Sequence, residues 1–146
     1  MSSENITFKV KEARDMLADI NDVLEEISQW CLNNASVAIS KLQDQWANIC
    51  STAKSTESDV FIQQCEDILA DCETFQNQID EKSTNFTDTI ETRLPSIKKL
   101  AGNDDDTSSL VKQILQHWNE TVQPQLVFLY EKLEELELSI RDMMAS

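Results

Sequence analysis

Apolar residues recur along most of the chain at alternating spacings of four and three, the pattern of amphipathic helices in a bundle. The first apolar stripe reads Ile6, Val10, Ala13, Leu17, Ile20, Leu24, Ile27 and Cys31, and continues as Ala35, Ala38, Leu42, Trp46, Ile49 and Ala53. The step from Leu42 to Trp46 breaks the alternation, as a stutter does. The pair Asn33-Asn34 is an alternative helix boundary. We expect one continuous helix, because the stripe crosses this pair in phase.

Two further stripes follow the first. The second reads Phe61, Cys65, Ile68, Cys72, Phe75, Ile79, Phe86, Ile90, Leu94 and Ile97. The third reads Val111, Ile114, Trp118, Val122, Leu126, Leu129, Leu133, Leu136, Ile140 and Met143. Pro95 and Pro124 lie within these stripes, and each predicts a kink or a local helix end because proline has no N–H.

The connections between the stripes are short. Thr56-Glu57-Ser58-Asp59 resembles a capping box, Gly102 suits a helix C-terminus, and Asp104–Asp106 can cap the next helix. These signals predict helices at about 5–53, 57–101 and 108–143 within a single domain, 1–146. Because short connections join antiparallel neighbours, we expect an all-α, elongated, antiparallel three-helix bundle with longer than usual helices.

Composition excludes several classes of protein. The chain has one Gly and one His, too few for a glycine-rich phosphate loop or a histidine-rich metal site. Its net charge of −15 argues against nucleic acid and anionic membranes, which attract Lys and Arg. The longest apolar run, residues 126–130, is too short for a membrane span. The three Asp residues at 104–106 lack the spacing of a calcium loop.

The start of the chain lacks the basic and apolar regions of a signal peptide, so we expect a cytoplasmic protein. Sequons for N-glycosylation begin at Asn5, Asn34, Asn85 and Asn119, which leaves a secreted chain as the alternative. The cysteines lie on the stripes and form no CxxC pair, so we expect buried, reduced thiols rather than a disulfide or zinc site.

The second and third stripes resemble the spectrin repeat. Cys72, Phe75 and Ile79 have the spacing of that family's helix B motif, with Cys in place of the usual His. Ile114 and Trp118, after Val111, have the spacing of its helix C motif. Either Trp30 or Trp46 matches the tryptophan of helix A. The resemblance implies a structural or docking module without catalytic residues or cofactors, as in spectrin, dystrophin and nuclear-envelope linker proteins.

We therefore expect a monomeric spacer and protein-binding repeat from a larger cytoskeletal or nuclear-envelope linker protein. Its partners would be cytoskeletal proteins, motor adaptors or neighbouring repeats. The alternatives are a lipid-associated bundle of the apolipoprotein kind, an autoinhibitory domain of a membrane-fusion protein, and a small bundle enzyme or metal protein. His117 has no Glu-x-x-His partner, which disfavours a di-iron site.

Apolar residues outside the stripes indicate where a partner binds. The predicted partner surface lies on the third helix and combines apolar with acidic residues, namely Val127, Phe128, Tyr130, Glu131 and Glu134. Further apolar residues lie off the stripes at Phe8, Leu32, Val37, Ile39 and Ile62. The acidic residues of the third helix favour a basic partner helix.

Overall fold

The structure is a computed structural model that describes the backbone of residues 3–146 and the side chains of residues 7–146. Asn5 and Ile6, where the first sequon and the first stripe begin, therefore lie outside the described side chains. Residues 3–146 form three long helices joined by short connections and contain no β-strand, which confirms the all-α prediction.

The first long helix consists of α1 (Ser3–Gln29), a π-helical segment (Trp30–Ala35) and α2 (Ser36–Thr52). A 3₁₀ turn, Ala53–Ser55, ends it. The second is α3 (Ser58–Ala101). The third consists of α4 (Asp105–His117), a second π-helical segment (Trp118–Val122) and α5 (Gln123–Ala145).

The first helix continues through Asn33-Asn34, but with a widened turn. The amide of Ser36 donates to the carbonyl of Cys31, five residues earlier, instead of four. A π segment of this kind accommodates one extra residue, so the stripe keeps its face although the spacing changes. Buried residues here follow the order Cys31, Ala35, Ile39 and Leu42. The irregularity therefore lies between Cys31 and Ala35.

Two details of the first stripe were wrong as a result. Ile39, predicted to lie off the stripe, is 2% exposed, and Ala38 is only half-buried. The predicted stutter after Leu42 is absent, because spacing from Ile39 onward alternates between three and four. Burying Ile instead of Ala removes more apolar surface from water, which favours the observed register.

The third helix repeats this arrangement at Trp118–Val122. The amide of Gln123 donates to the carbonyl of Trp118, again five residues earlier. Pro124 follows one residue later, where its missing N–H and its ring would disrupt a regular α-helix. The predicted irregularity at Pro124 is thus accommodated by a π segment just before it. Pro95 does not end α3, which continues to Ala101.

The chain divides into two compact units, each formed by parts of all three long helices. Of the described residues, the first unit comprises 3–28 and 82–124, and the second comprises 29–81 and 125–146. The largest fully buried side chains of the first unit are Ile20, Leu24, Phe86, Ile97 and Val122. Those of the second unit are Ile39, Leu126, Leu133 and Ile140, with Cys65 and Cys72.

An aromatic contact lies in the core of the first unit. The rings of Phe86 and Trp118 are 4.4 Å apart between centroids and are inclined by 32°. The two rings are in direct contact, at the short end of the separations that aromatic pairs adopt. The stripe residue Phe86 thus places α3 against the start of the second π segment.

Candidate protein-docking surface

A polar cluster closes one end of the first unit. Asp104 is the N-cap of α4, and its carboxylate accepts hydrogen bonds from the amide and the hydroxyl of Thr107, at 3.0 and 2.6 Å. The guanidinium of Arg14, on α1, donates to the same carboxylate at 2.9 Å. These hydrogen bonds, first that of the Thr107 hydroxyl, then that of Arg14, lower the pKa of Asp104. The predicted capping role of this acidic segment falls to Asp104, which starts α4 at Asp105.

A groove of about 440 Å³ lies beside this cluster, between α1 and α4. Leu17, Leu110 and Ile114 provide its apolar lining, and Glu25 and His117 lie at the other end. Nε2 of His117 is 3.7 Å from Oε1 of Glu25 and makes no hydrogen bond. The lining residues include no hydroxyl or thiol, and the groove presents apolar surface with the side chains of Glu25 and His117 at one end.

In the second unit, the predicted partner surface lies on α5. Val127 is 47% exposed and Phe128 is 56% exposed. Glu131 and Glu134 are exposed, and Tyr130 is half-buried. The Nζ of Lys132 lies 4.8 Å from the ring centroid of Phe128, a cation–π contact along the helix surface.

The structure adds Leu138 to this surface. Its side chain is 62% exposed, more than that of Val127 or Phe128. Leu138 lies eleven residues after Val127, three helical turns further along the same side of α5. Its position off the third stripe was a sequence signal that the prediction did not use.

A second groove, of about 490 Å³, lies between α3 and α5 in the second unit. Its α3 side is lined by Glu66, Leu69, Ala70, Glu73, Gln76 and Asn77, and its α5 side by Tyr130, Glu137 and Arg141. Of these residues, Tyr130 belongs to the predicted partner surface, and Glu137 belongs to the acidic residues of the third helix that favour a basic partner. We call this feature the acidic groove.

Negatively charged side chains surround Tyr130 in the acidic groove. The pKa of the Tyr130 phenol is raised, mainly by the charge of Asp80, then by burial and by Glu134 and Glu137. Negative charge raises the pKa because it disfavours the phenolate. The groove therefore favours cationic groups.

The residues carrying the spectrin-like motifs lie mostly in the cores. Cys72, Ile79, Ile114 and Trp118 are buried, whereas Trp30, Trp46 and Phe75 are half-buried. The ring contact of Trp118 is with Phe86, a residue that the motif comparison did not include.

Three of the four cysteines, Cys31, Cys65 and Cys72, are buried, and Cys50 is half-buried. Burial, with smaller contributions from Glu137 and Asp71, raises the pKa of Cys72 to about 12. Burial also raises the pKa of Cys65. Both thiols therefore stay protonated at neutral pH. Among the side chains described, no three His, Cys, Asp or Glu residues are grouped to hold a metal ion.

No family model matches the chain, and neither the curated proteins nor the solved structures contain a match. The spectrin-repeat resemblance accordingly stays a prediction. In the described part of the chain, no helix has the length and apolarity needed to cross a membrane.

Proposed function

We propose that this protein is a non-enzymatic helical module of the spectrin-repeat type that binds other proteins and spaces them within a larger cytoplasmic linker. The observation that carries the proposal is the exposed face of α5. Val127, Phe128 and Leu138 stay in water while the opposite face of the same helix is buried. Apolar residues grouped on a surface indicate an interaction site.

Contacts within the first unit support a three-helix, spectrin-like arrangement. Arg14 bonds to Asp104 and Glu25 faces His117, so α1 and α4 advance in the same direction. Phe86 of α3 contacts Trp118, which directly follows α4. Ala101, later on α3, lines one cleft with Thr107, which lies near the start of α4. The helices α3 and α4 therefore advance in opposite directions, as in an up-down-up bundle.

The second unit supports the same arrangement. Asp80 raises the pKa of Tyr130, and Glu137 raises that of Cys72. Earlier residues of α3 thus lie beside later residues of α5. This antiparallel pairing is typical of helices joined by a short connection.

The proposal is tested by finding a partner and localising its contacts. Proximity labelling in cells would identify candidate proteins, which would then be purified and titrated against the whole chain. We expect direct binding that Phe128→Ser or Leu138→Ser weakens, with unchanged helicity by circular dichroism. The matched control is Val60→Ser, an exposed apolar residue of α3 that was not predicted to belong to a partner surface.

Two results would overturn the proposal. One is that no labelled protein binds the purified chain directly. The other is strong binding to neutral phosphatidylcholine vesicles in a flotation assay, with opening of the bundle, which would favour the lipid-associated alternative.

A further inference from the structure

We propose that the acidic groove and the adjoining face of α5 bind a basic amphipathic helix of a partner protein. This inference rests on the proposed docking function and specifies the chemistry of the partner. The adjoining face consists of Val127, Glu131, Glu134 and Leu138, and we call it the α5 face.

The two surfaces are continuous along α5. Tyr130 and Arg141 line the groove, and residues of the α5 face lie three or four positions from them. Residues at these spacings are neighbours on a helix surface. On α3, Glu66, Leu69 and Glu73 repeat the same spacing along the other wall. The α3 wall, residues 66–77, extends over about three helical turns, roughly 17 Å at 1.5 Å per residue, and the α5 wall, residues 127–141, over about four turns, roughly 21 Å. These lengths match a partner helix of about 11 to 14 residues.

The negative charge of the second unit favours a basic partner. The second unit contains 14 of the 27 acidic residues but only four of the twelve basic ones, so it carries ten of the fifteen net negative charges. Glu66, Glu73 and Glu137 line the groove, where Arg141 is the one basic lining residue. A helix with Lys or Arg beside its apolar stripe complements this potential.

Apolar contacts are available along the centre of the surface. Leu69 and Tyr130 are half-buried in the groove, and Val127 and Leu138 project from the α5 face. An amphipathic helix that covers them would remove their remaining apolar area from water, which is how helix-in-groove complexes gain affinity.

A second copy of this chain fits poorly, because two units of net charge −10 would repel each other. Anionic lipid is disfavoured for the same reason. A basic helix from a different protein is the occupant that both the charge and the apolar residues favour.

The probe is a synthetic 18-residue peptide with Leu at the a and d positions of its heptads, Lys at e and g, and Ala elsewhere. A peptide of the same composition in scrambled order, with no apolar face, is the control probe. Each is titrated into the ¹⁵N-labelled whole chain, with amide shifts followed by NMR and affinity measured by fluorescence anisotropy. We expect shifts at residues 66–77 and 127–141, and affinity that falls with added salt.

The charge-reversed variant Glu131→Lys/Glu134→Lys should weaken binding about tenfold, because two exposed ion pairs are replaced by repulsion. The matched control is Glu12→Lys/Asp15→Lys, which reverses two exposed acidic residues at the same spacing on α1. It changes the net charge equally and should leave the affinity within about twofold. Circular dichroism of both variants confirms that each is folded.

Selective shifts, with weakening by the α5 variant alone, would support the inference. It is overturned by equal weakening in both variants, by equal binding of the scrambled peptide, by shifts confined to the first unit, or by no binding. Shifts that grow with the concentration of the chain itself would identify a second copy instead. Shifts produced by phosphatidylcholine vesicles would identify lipid. The vesicle result would also count against the proposed function, whereas the other outcomes leave the partner titration above to decide that function separately.

Discussion

Deleting one residue from the first π segment should leave the protein folded, although deletions inside helices normally disrupt packing. The segment holds one residue more than a regular α-helix needs between Cys31 and Ala35. Removing Asn34, which is exposed, brings Ala35 three residues after Cys31 and restores the alternation of three and four. Asn33 and Gln29, whose side chains bond at 2.8 Å, keep their spacing. We expect the free energy of unfolding to stay within about 1 kcal/mol of the parent.

The control deletion removes Gln43, an exposed residue of α2 that follows the buried Leu42. Deleting one residue rotates the stripe residues after the deletion by about 100° around the helix axis, relative to the stripe residues before it. If the π segment is kept, Trp46 and Ile49 turn away from the core. If the π segment becomes α-helical instead, Ile39 and Leu42 turn away from the core. By each route two large apolar side chains are exposed, at about 1.5–3 kcal/mol each, a loss of roughly 3–6 kcal/mol.

The assay is urea unfolding of both deletions and the parent, followed by circular dichroism at 222 nm. A loss of this size is a large part of the free energy of unfolding of a typical domain, which is roughly 5–15 kcal/mol. The reasoning is refuted if removing Asn34 costs as much as removing Gln43, since the π segment would then not be accommodating an extra residue.

The second π segment should behave differently, because deleting Thr121 forces Pro124 into a regular helix. We expect this deletion to lower the free energy of unfolding by about 3 kcal/mol, and Pro124→Ala to remove that loss. Phe86→Ala should destabilise the protein by about 3–5 kcal/mol in urea unfolding, since Phe86 is fully buried against Trp118. The lowered pKa of Asp104 stabilises the folded state above the ordinary pKa of 3.8, and this contribution is lost as pH falls through the folded-state pKa. Asp104→Asn should therefore flatten the acid side of a stability–pH profile. The pKa of Cys72 is raised from 9.0 to about 12, a shift in the opposite direction to that of Asp104. Its contribution to the stability of the folded state is therefore complete below pH 9.0 and is lost as pH rises toward 12. Cys72→Ala should reduce the alkaline loss of stability.

Each of these expectations has a contrary outcome. If the Thr121 deletion is equally stable with Pro124 and with Pro124→Ala, the proline is not the reason for the second π segment. Phe8→Ala, at an exposed position, should cost less than about 0.5 kcal/mol, and a cost equal to that of Phe86→Ala would contradict the burial argument. Unchanged acid or alkaline profiles would contradict the assignments to Asp104 and Cys72.

Part of the proposed binding surface was predictable from sequence. Val127, Phe128 and Tyr130 were identified because they widen the apolar face of the third helix beyond one stripe. The α3 wall was not, because Glu66, Leu69 and Glu73 line a groove only where α5 lies beside them. A sequence pattern describes one helix at a time, whereas a groove is formed by two helices.

The sequence by itself determined three long helices, their inward stripes and their acidic exteriors, because helical periodicity and charge are properties of local sequence. Tertiary structure decided which of Ala38 and Ile39 is buried, and where the extra residue of each outer helix is accommodated. Both local registers keep an apolar stripe, and only packing against other helices favours one of them. The bond between Arg14 and Asp104, ninety residues apart in the chain, likewise exists only in the folded unit. Spacing along one helix predicts which face is buried, whereas contacts between distant residues require the fold that brings them together.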